Sequence, residues 1–168
     1  IIYLGNHVGE LSKTKLLKLL FLLEEKSIKD YGDPYFGIDF KIWQFGPVAQ
    51  PIFDGLTDIE NKFLKEYITK NRFDEYEGVV DFVDDEFSNN DIAVLDWAVN
   101  FARHKLAEDL VKYTHSKESL WRRGAIKYGV YEQFLKKELT YTDHNIDFAL
   151  LFENDPEGHL LDKYFSAL

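Results

Sequence analysis

The sequence predicts an α+β fold that is predominantly helical, with a central apolar helix, surrounding helices and a small antiparallel β-sheet or hairpin. Three observations support this prediction. Over 12–29, leucines recur three and four residues apart, which is typical of a helix. Over 37–45 and 78–84, apolar and polar residues alternate, which is typical of strands. From residue 88 onwards, helical periodicity dominates.

The composition fits one globular domain of 168 residues, with 45% hydrophobic and 30% charged side chains. A net charge of −10 repels phosphate backbones, so nucleic acid is not expected as a partner. The absence of cysteine excludes disulfides, thiol catalysis and Cys-type zinc sites. The longest apolar stretch, 16–23, is too short to cross a bilayer, and no signal peptide is recognisable. We therefore expect a soluble cytoplasmic protein with no membrane partner.

The central helix is predicted over 12–29, with Ser12 as its N-cap. Its leucines define one apolar face, and further apolar residues extend this face around most of the helix. We therefore expect it to be covered on several sides. Gly32 and Pro34 mark its end, because these residue types interrupt helices.

A first strand is predicted over 37–45, and Gly46 with Pro47 ends it. A short helix is expected directly afterwards, because apolar residues recur with helical spacing: Val48, Ile52, Phe53 and Leu56. Thr57 and Glu60 form a candidate capping box, which predicts another short helix.

A second strand is predicted over 78–84 from its alternating valines and aspartates. Residues 67–73 are the expected hairpin partner, with a turn around 74–77. The rest of the chain predicts helices, the first of them capped by Ser88 and Asp91. In order, the expected elements are helices over 88–101, 106–114, 116–124, 130–139 and 142–152, a turn over 155–158 and an amphipathic segment over 159–168.

No catalytic constellation is recognisable. Nucleophile-elbow, zinc-protease and P-loop motifs are absent, and no two of the five histidines lie three or four residues apart. No metal or cofactor is therefore expected. Glu24 and Glu25, like the acidic run 84–86, are expected to be solvated charge. We expect a protein that is not an enzyme, while a hydrolase built on dispersed carboxylates and His115 stays open as an alternative.

Three segments carry a more specific pattern. KLLKLLF occupies 15–21, WQFGPV occupies 43–48, and LVKYTH at 110–115 precedes Trp121. In this order they resemble the Panacea domain, the SocA-like antitoxin family of bacteria and their phages, over residues 11–124. The resemblance assigns family-motif or partner-binding roles to eight residues: Lys15, Lys18, Trp43, Gly46, Pro47, Thr114, His115 and Trp121.

The sequence departs from the family pattern at two places. Phe21 stands where the family usually has tyrosine, and 49–53 lacks the glutamate and tyrosine that often follow the Gly-Pro-Val turn. The resemblance divides the chain into a Panacea-like domain over 1–124 and a helical extension over 125–168, which we expect to pack on the same domain. Its aromatic side chains are expected to pack within the chain, with a dimer seam as the alternative: Phe148, Phe152, Tyr164 and Phe165.

Most of the motif residues have a simpler, structural interpretation. Trp43 and Trp121 are expected in the core, although Trp43 could instead line a groove for a partner. Gly46 is expected to allow an unusual backbone angle or a close approach. Thr114 is expected to bond a helical carbonyl, and His115 to cap the same helix as a cation.

The resemblance implies an antitoxin that neutralises a co-expressed protein toxin, encoded nearby, by direct contact. Occlusion of the toxin and its delivery to an AAA+ protease are both compatible with this function. One alternative is a transcriptional regulator with a helix-turn-helix-like set over 92–121, whose basic side chains Lys117, Arg122 and Arg123 are few. Another is a phage-associated interaction protein without a toxin.

Overall fold

The helix Lys13–Tyr31 lies at the centre of the molecule, and most other elements pack on it. The computed structural model describes residues 1–58, 63–153 and 158–168, with only the backbone of Phe63. The central helix begins at Ser12, whose hydroxyl accepts the N–H of Lys15. It ends at Gly32, whose φ of +64° is the left-handed conformation that commonly closes helices. Twelve of its 19 residues are buried, which confirms the central apolar helix.

The described elements confirm the predominantly helical α+β class. The helices are α1 (Ile2–His7), α2 (Lys13–Tyr31), α3 (Gln50–Thr57), α4 (Asn89–Ala102), α5 (Ala107–Thr114), α6 (Leu120–Lys127), α7 (Tyr131–Leu135) and α8 (His159–Ala167), with 3-10 helices at Phe63–Glu66 and Phe148–Phe152. The strands are β1 (Lys41–Trp43), β2 (Gly46–Val48), β3 (Ile68–Lys70) and β4 (Tyr76–Gly78). They form two antiparallel hairpins, β1–β2 and β3–β4. No helix among the described residues is long and apolar enough to cross a membrane.

The first hairpin differs from the prediction, because the strand expected over 37–45 is only Lys41–Trp43 and because of the roles of Gly46 and Pro47. These residues do not end the strand before a helix; they form the returning strand β2, with Trp43 opposite Gly46 and Ile42 opposite Pro47. Proline is tolerated in β2 because β2 is an edge strand, in which not every backbone N–H has to donate a hydrogen bond to a neighbouring strand. The helix predicted after Val48 begins at Gln50, so that part of the prediction is confirmed.

The outer edge of β1 is covered by a distant segment. Ile42 donates its N–H to His144, Gln44 donates to Thr140, and Ile146 donates to the carbonyl of Phe40. The helix predicted over 142–152 is therefore wrong in its first half, since 140–146 runs along β1. Only the 3-10 helix Phe148–Phe152 remains of it.

The second hairpin exists, but its strands are shorter than predicted and its turn lies at 71–75 and not at 74–77. Ile68 lies opposite Gly78 and Lys70 opposite Tyr76, so the strand predicted over 78–84 ends where it was expected to begin. Beyond Val79 the chain leaves the ladder and packs on α1, with the ring of Phe82 4.9 Å from that of Tyr3. The sequence analysis did not predict α1, because six residues are too few to display a helical period.

The helices of the C-terminal half agree with the prediction to different degrees. The capping box of Ser88 and Asp91 is present at the start of α4. The third predicted helix, 116–124, begins later, because Ser119 is its N-cap. The helix over 130–139 ends early, where Lys137 adopts a φ of +59°. Glu60 of the predicted capping box and residues 155–157 of the predicted turn lie outside the described part of the chain, whereas Gly158 precedes α8 with a φ of +69°.

The aromatic side chains of the C-terminal region pack within the chain. Phe148, Phe152 and Tyr164 are buried, and the ring of Phe148 stacks 5.9 Å from that of Phe21 on α2. Phe165 differs from them, because 57% of its surface is exposed.

Glu24 is not the solvated charge that the sequence predicted. Its side chain is only 2% exposed, and its carboxylate accepts the N–H of Phe36 at 2.7 Å and of Gly37 at 3.2 Å. The Glu24 carboxylate therefore accepts hydrogen bonds from backbone N–H groups of the loop after α2. These groups are the donors that a buried carboxylate needs.

Removal of the Glu24 carboxylate should destabilise the fold. We expect Glu24→Ala to lower the free energy of unfolding by about 1–3 kcal/mol, because two loop N–H groups lose their acceptor. Urea denaturation followed by circular dichroism measures this. Glu138→Ala, at an exposed position, is the control and should leave stability unchanged; equal effects of the two variants would contradict the role of Glu24.

Candidate functional site

Seven of the eight predicted motif residues come together where α2, the β1–β2 hairpin, α5 and α6 meet. We call them the motif cluster: Lys18, Trp43, Gly46, Pro47, Thr114, His115 and Trp121. Lys15 lies apart, because its ammonium group donates to the carbonyl of Gly9 at 2.8 Å and holds the segment before α2.

Lys18 connects α2 to the hairpin. Its side chain is 2% exposed, and its Nζ donates to the carbonyl oxygen of Pro47 at 3.0 Å. Burial lowers the pKa of Lys18 to about 7, because the charged form is poorly solvated there. No ion pair to a carboxylate compensates this cost among the residues described.

Gly46 makes room for Lys18. Its φ is +105°, a backbone angle that residues other than glycine rarely adopt. A Cβ on Gly46 would lie 2.7 Å from Cε of Lys18 and 3.0 Å from Cε1 of His115. The unusual angle and the close approach expected for Gly46 both occur here.

His115 closes the cluster from the end of α5. Its Nδ1 lies 2.7 Å from the carbonyl oxygen of Val111, and its Nε2 lies 3.2 Å from that of Gln44. Burial lowers the pKa of His115 despite these two acceptors, and the charge of Lys18 lowers it further. A neutral ring carries one N–H, so it donates to only one of the two carbonyls. The helix-capping contact expected for His115 is present, but the lowered pKa disfavours the cation expected there.

The two tryptophans and Thr114 complete the connections. Nε1 of Trp121 donates to the backbone carbonyl of Trp43 at 2.8 Å, and the ring of Trp121 lies 3.8 Å from that of His115. Nε1 of Trp43 donates to the carbonyl of Thr142 at 3.2 Å. The hydroxyl of Thr114 donates to the carbonyl of Leu110, four residues earlier in α5. Each indole thus joins two segments that are distant in sequence.

The chemistry available to the motif cluster is limited by burial. The amine of Lys18 is buried beside Gly46 and donates to the carbonyl of Pro47. No group of three His, Asp or Glu side chains in the described residues could hold a metal ion. The cluster therefore joins four elements, and a direct contact of its residues with a partner stays a prediction.

A polar cavity of about 570 Å³ lies between α2, α4, α5 and α6. Glu25 lines it, and burial raises the pKa of this carboxyl to about 7, against the opposing charge of Lys29. Glu25 is therefore not the fully solvated charge that the sequence predicted. Neighbouring charges pair within the protein, as in the 2.6 Å ion pair of Lys26 and Asp30.

An apolar groove of about 660 Å³ does not follow from the prediction made for 78–84. It lies beside α1, and residues 80–83 form part of its wall. The alternating valines and aspartates of 78–84 contain its signal, but the same pattern is typical of a strand. Outside a ladder, the same alternation leaves valines exposed next to carboxylates.

Substitution of Gly46 tests the packing of the motif cluster. We expect Gly46→Ala to destabilise the protein by about 1–3 kcal/mol, because the new Cβ meets Lys18 and His115 and the φ is unfavourable. Gly9→Ala is the matched control, since nothing lies within 4 Å of a Cβ there. Thermal unfolding of both variants measures the difference, and equal stabilities would contradict the crowding at Gly46.

The buried amine of Lys18 should make stability depend on pH. Since the pKa falls from 10.5 when unfolded to about 7 when folded, the unfolded state binds the additional proton between these pH values. Stability therefore rises with pH in this range. Relative to Lys18→Met, we expect the unfolding free energy of the wild type to rise by about 1.4 kcal/mol per pH unit from about pH 8 to 10.

Urea denaturation at several pH values measures this slope. The exposed Lys117 supplies the control, because Lys117→Met should follow the wild type at every pH. A difference between wild type and Lys18→Met that stays constant with pH would contradict a buried, deprotonating Lys18.

Comparison with known proteins assigns the chain to a family. The family model described as antitoxin SocA-like, Panacea domain, matches residues 16–122, which is more than half of the chain. The matched range contains the whole motif cluster, from Lys18 to Trp121. No curated protein and no solved structure matches the chain significantly. The chain therefore belongs to the SocA-like antitoxin family and carries its Panacea domain over residues 16–122.

Proposed function

We propose that the protein is a bacterial or phage-associated antitoxin that neutralises a protein toxin encoded nearby by direct contact in the cytoplasm. The family match over 16–122 is the observation that supports this proposal most strongly. The assembled motif cluster adds to it, because the residues that carry the resemblance also contact one another. In this proposal the protein acts by binding and not as an enzyme.

The toxin contact is proposed to use exposed surface and not the motif cluster. Lys15, Lys18 and Thr114 are all at most 3% exposed, so a partner cannot reach them without unfolding. We propose that the eight motif residues maintain the fold that presents the contact surface. Toxin specificity then resides in side chains outside the motifs, which can differ without loss of the fold.

Electrostatics favours a basic toxin. The net charge of −10 attracts a basic partner at long range and accelerates association. Binding can block the active surface of the toxin, or the antitoxin can deliver the toxin to an AAA+ protease. The two routes differ in the fate of the toxin, because only the second removes it from the cell.

We propose that 1–124 and 125–168 form one folding unit. The backbone hydrogen bonds between β1 and 140–146 join the two parts. The burial of Phe148 against α2 adds an apolar contact between them. The extension is then needed for the stability of the domain.

The regulator alternative receives less support from the geometry. The guanidinium of Arg122 lies 4.8 Å from the centre of the Tyr131 ring, and Arg123 pairs with Glu153. Both arginines are thus engaged within the protein and are poorly placed to contact DNA.

Co-expression with each neighbouring gene tests the proposal. We expect one neighbour to arrest growth when induced alone and growth to recover when this protein is co-induced, because the complex masks the toxin. Growth curves and co-purification measure both effects. If no neighbour is toxic, or if rescue occurs without co-purification, the proposed function is wrong.

The same pair separates binding from catalysis and from delivery. Titration of purified toxin should abolish its activity at a stoichiometric ratio; full inhibition by trace amounts would contradict a binding mechanism. Toxin levels that fall on co-expression indicate protease delivery, whereas stable levels indicate occlusion.

A further inference from the structure

The apolar groove beside α1 exposes large hydrophobic side chains in one place. Its wall includes Val80, Val83 and Phe87 from the segment after β4, with 63% of Val83 exposed. Phe36 and Tyr67 line the same groove and are also more than one third exposed. Exposed apolar side chains that line one cavity are typical of interaction sites, whereas single exposed residues need no explanation.

Two features make the groove suitable for a partner chain. Residues 80–84 donate no backbone hydrogen bond within the described part of the chain, although Val79 before them still donates to Tyr67. Tyr35 lines the groove, and its hydroxyl is buried without a hydrogen-bond partner among the described residues. Most of residues 80–84 are exposed, so their N–H groups can bond water in the free protein and are open to a docked chain. A buried hydroxyl without a partner is rare in native structures.

The rim of the groove is strongly acidic. Residues 73–102 contain nine aspartates and glutamates and no lysine or arginine. Asp81 lines the groove, and the run 84–86 follows it on exposed positions. No ion pair within the described residues neutralises these four carboxylates. The rim therefore attracts cations, and its charge is available to a partner.

We propose that this groove binds an apolar segment of the toxin that is flanked by lysines or arginines. The inference rests on the proposed function and adds the site of contact and the chemistry of the segment. The apolar side chains enter the groove, and the flanking cations lie against the acidic rim. A second copy of this chain fits poorly, because it brings the same acidic rim and would be repelled.

A peptide titration tests the chemistry of the groove without the toxin. The probe is a fluorescent peptide with a short run of leucines flanked by lysines, and its control is an equally long peptide in which glutamates replace the lysines. We expect the wild type to bind only the lysine peptide. Val83→Lys should weaken binding about tenfold or more, because it removes an apolar contact and adds like charge. The double variant D84K/D85K should do the same.

Matched variants control for net charge and exposed surface. E132K/E138K changes the net charge as D84K/D85K does, but on exposed positions outside the groove. Leu135→Lys alters another exposed apolar residue, on α7. Both controls should bind the lysine peptide as the wild type does. No binding by the wild type, equal binding of both peptides, or equal loss in controls and groove variants would overturn the proposal.

The same variants with the toxin separate the two proposals. If the wild type neutralises a toxin and Val83→Lys still binds it with unchanged affinity, the groove assignment is wrong while the antitoxin function stands. If the wild type binds no neighbouring gene product, the antitoxin function fails, and the peptide titration alone decides the chemistry of the groove. If sedimentation shows a dimer that Val83→Lys dissociates, a second copy occupies the groove and the proposal is overturned.

Discussion

The buried amine of Lys18 needs an acceptor, and the way in which it finds one determines much of the architecture. Its partner, the carbonyl of Pro47, is in reach only because the chain reverses between β1 and β2. That reversal passes so close to Lys18 that only glycine fits at position 46. His115 then packs against the same glycine and joins α5 to the hairpin. One polar group inside an apolar helix thereby fixes the relative positions of α2, β2 and α5, which an all-leucine helix would leave less defined.

This arrangement separates the motif residues from the surface that we propose for binding. The resemblance to the family resides in residues such as Lys18, Gly46 and Trp121, which are engaged inside the molecule. The apolar groove is lined by residues of α1, by residues 80–83 and by Phe87, and by none of the motif residues. A family can therefore retain one fold while its members exchange the side chains that face their partners. In this molecule that exposed surface combines valines with carboxylates, which is the chemistry expected for a basic, apolar segment.

Elements encoded by local signals could be predicted, and elements that depend on distant contacts could not. The boundaries of α2 and α4 follow from Ser12 and Ser88, because a capping residue acts on its own helix. Gly46 and Pro47 were misassigned because both residue types end strands as readily as they form a hairpin return. The segment 140–146 does not form the predicted helix, because it pairs with β1, which lies far away in sequence.

For the candidate site, the sequence identifies the motif residues, but it does not show that they contact one another in the fold. The groove was missed because alternation looks the same in a paired strand and in an exposed segment.

The hydrogen bonds between β1 and 140–146 also affect the order in which the protein can form during synthesis. Thr142 and Ile42, which are bonded through the Thr142 hydroxyl, are separated by 100 residues. Contacts of such long range form late, because a long loop must close first. A nascent chain that has already made α2 and the β1–β2 hairpin still presents β1 as an open edge to other strands. The last part of the chain therefore acts as an intramolecular cover, and a ribosome that stalls before it leaves an aggregation-prone intermediate.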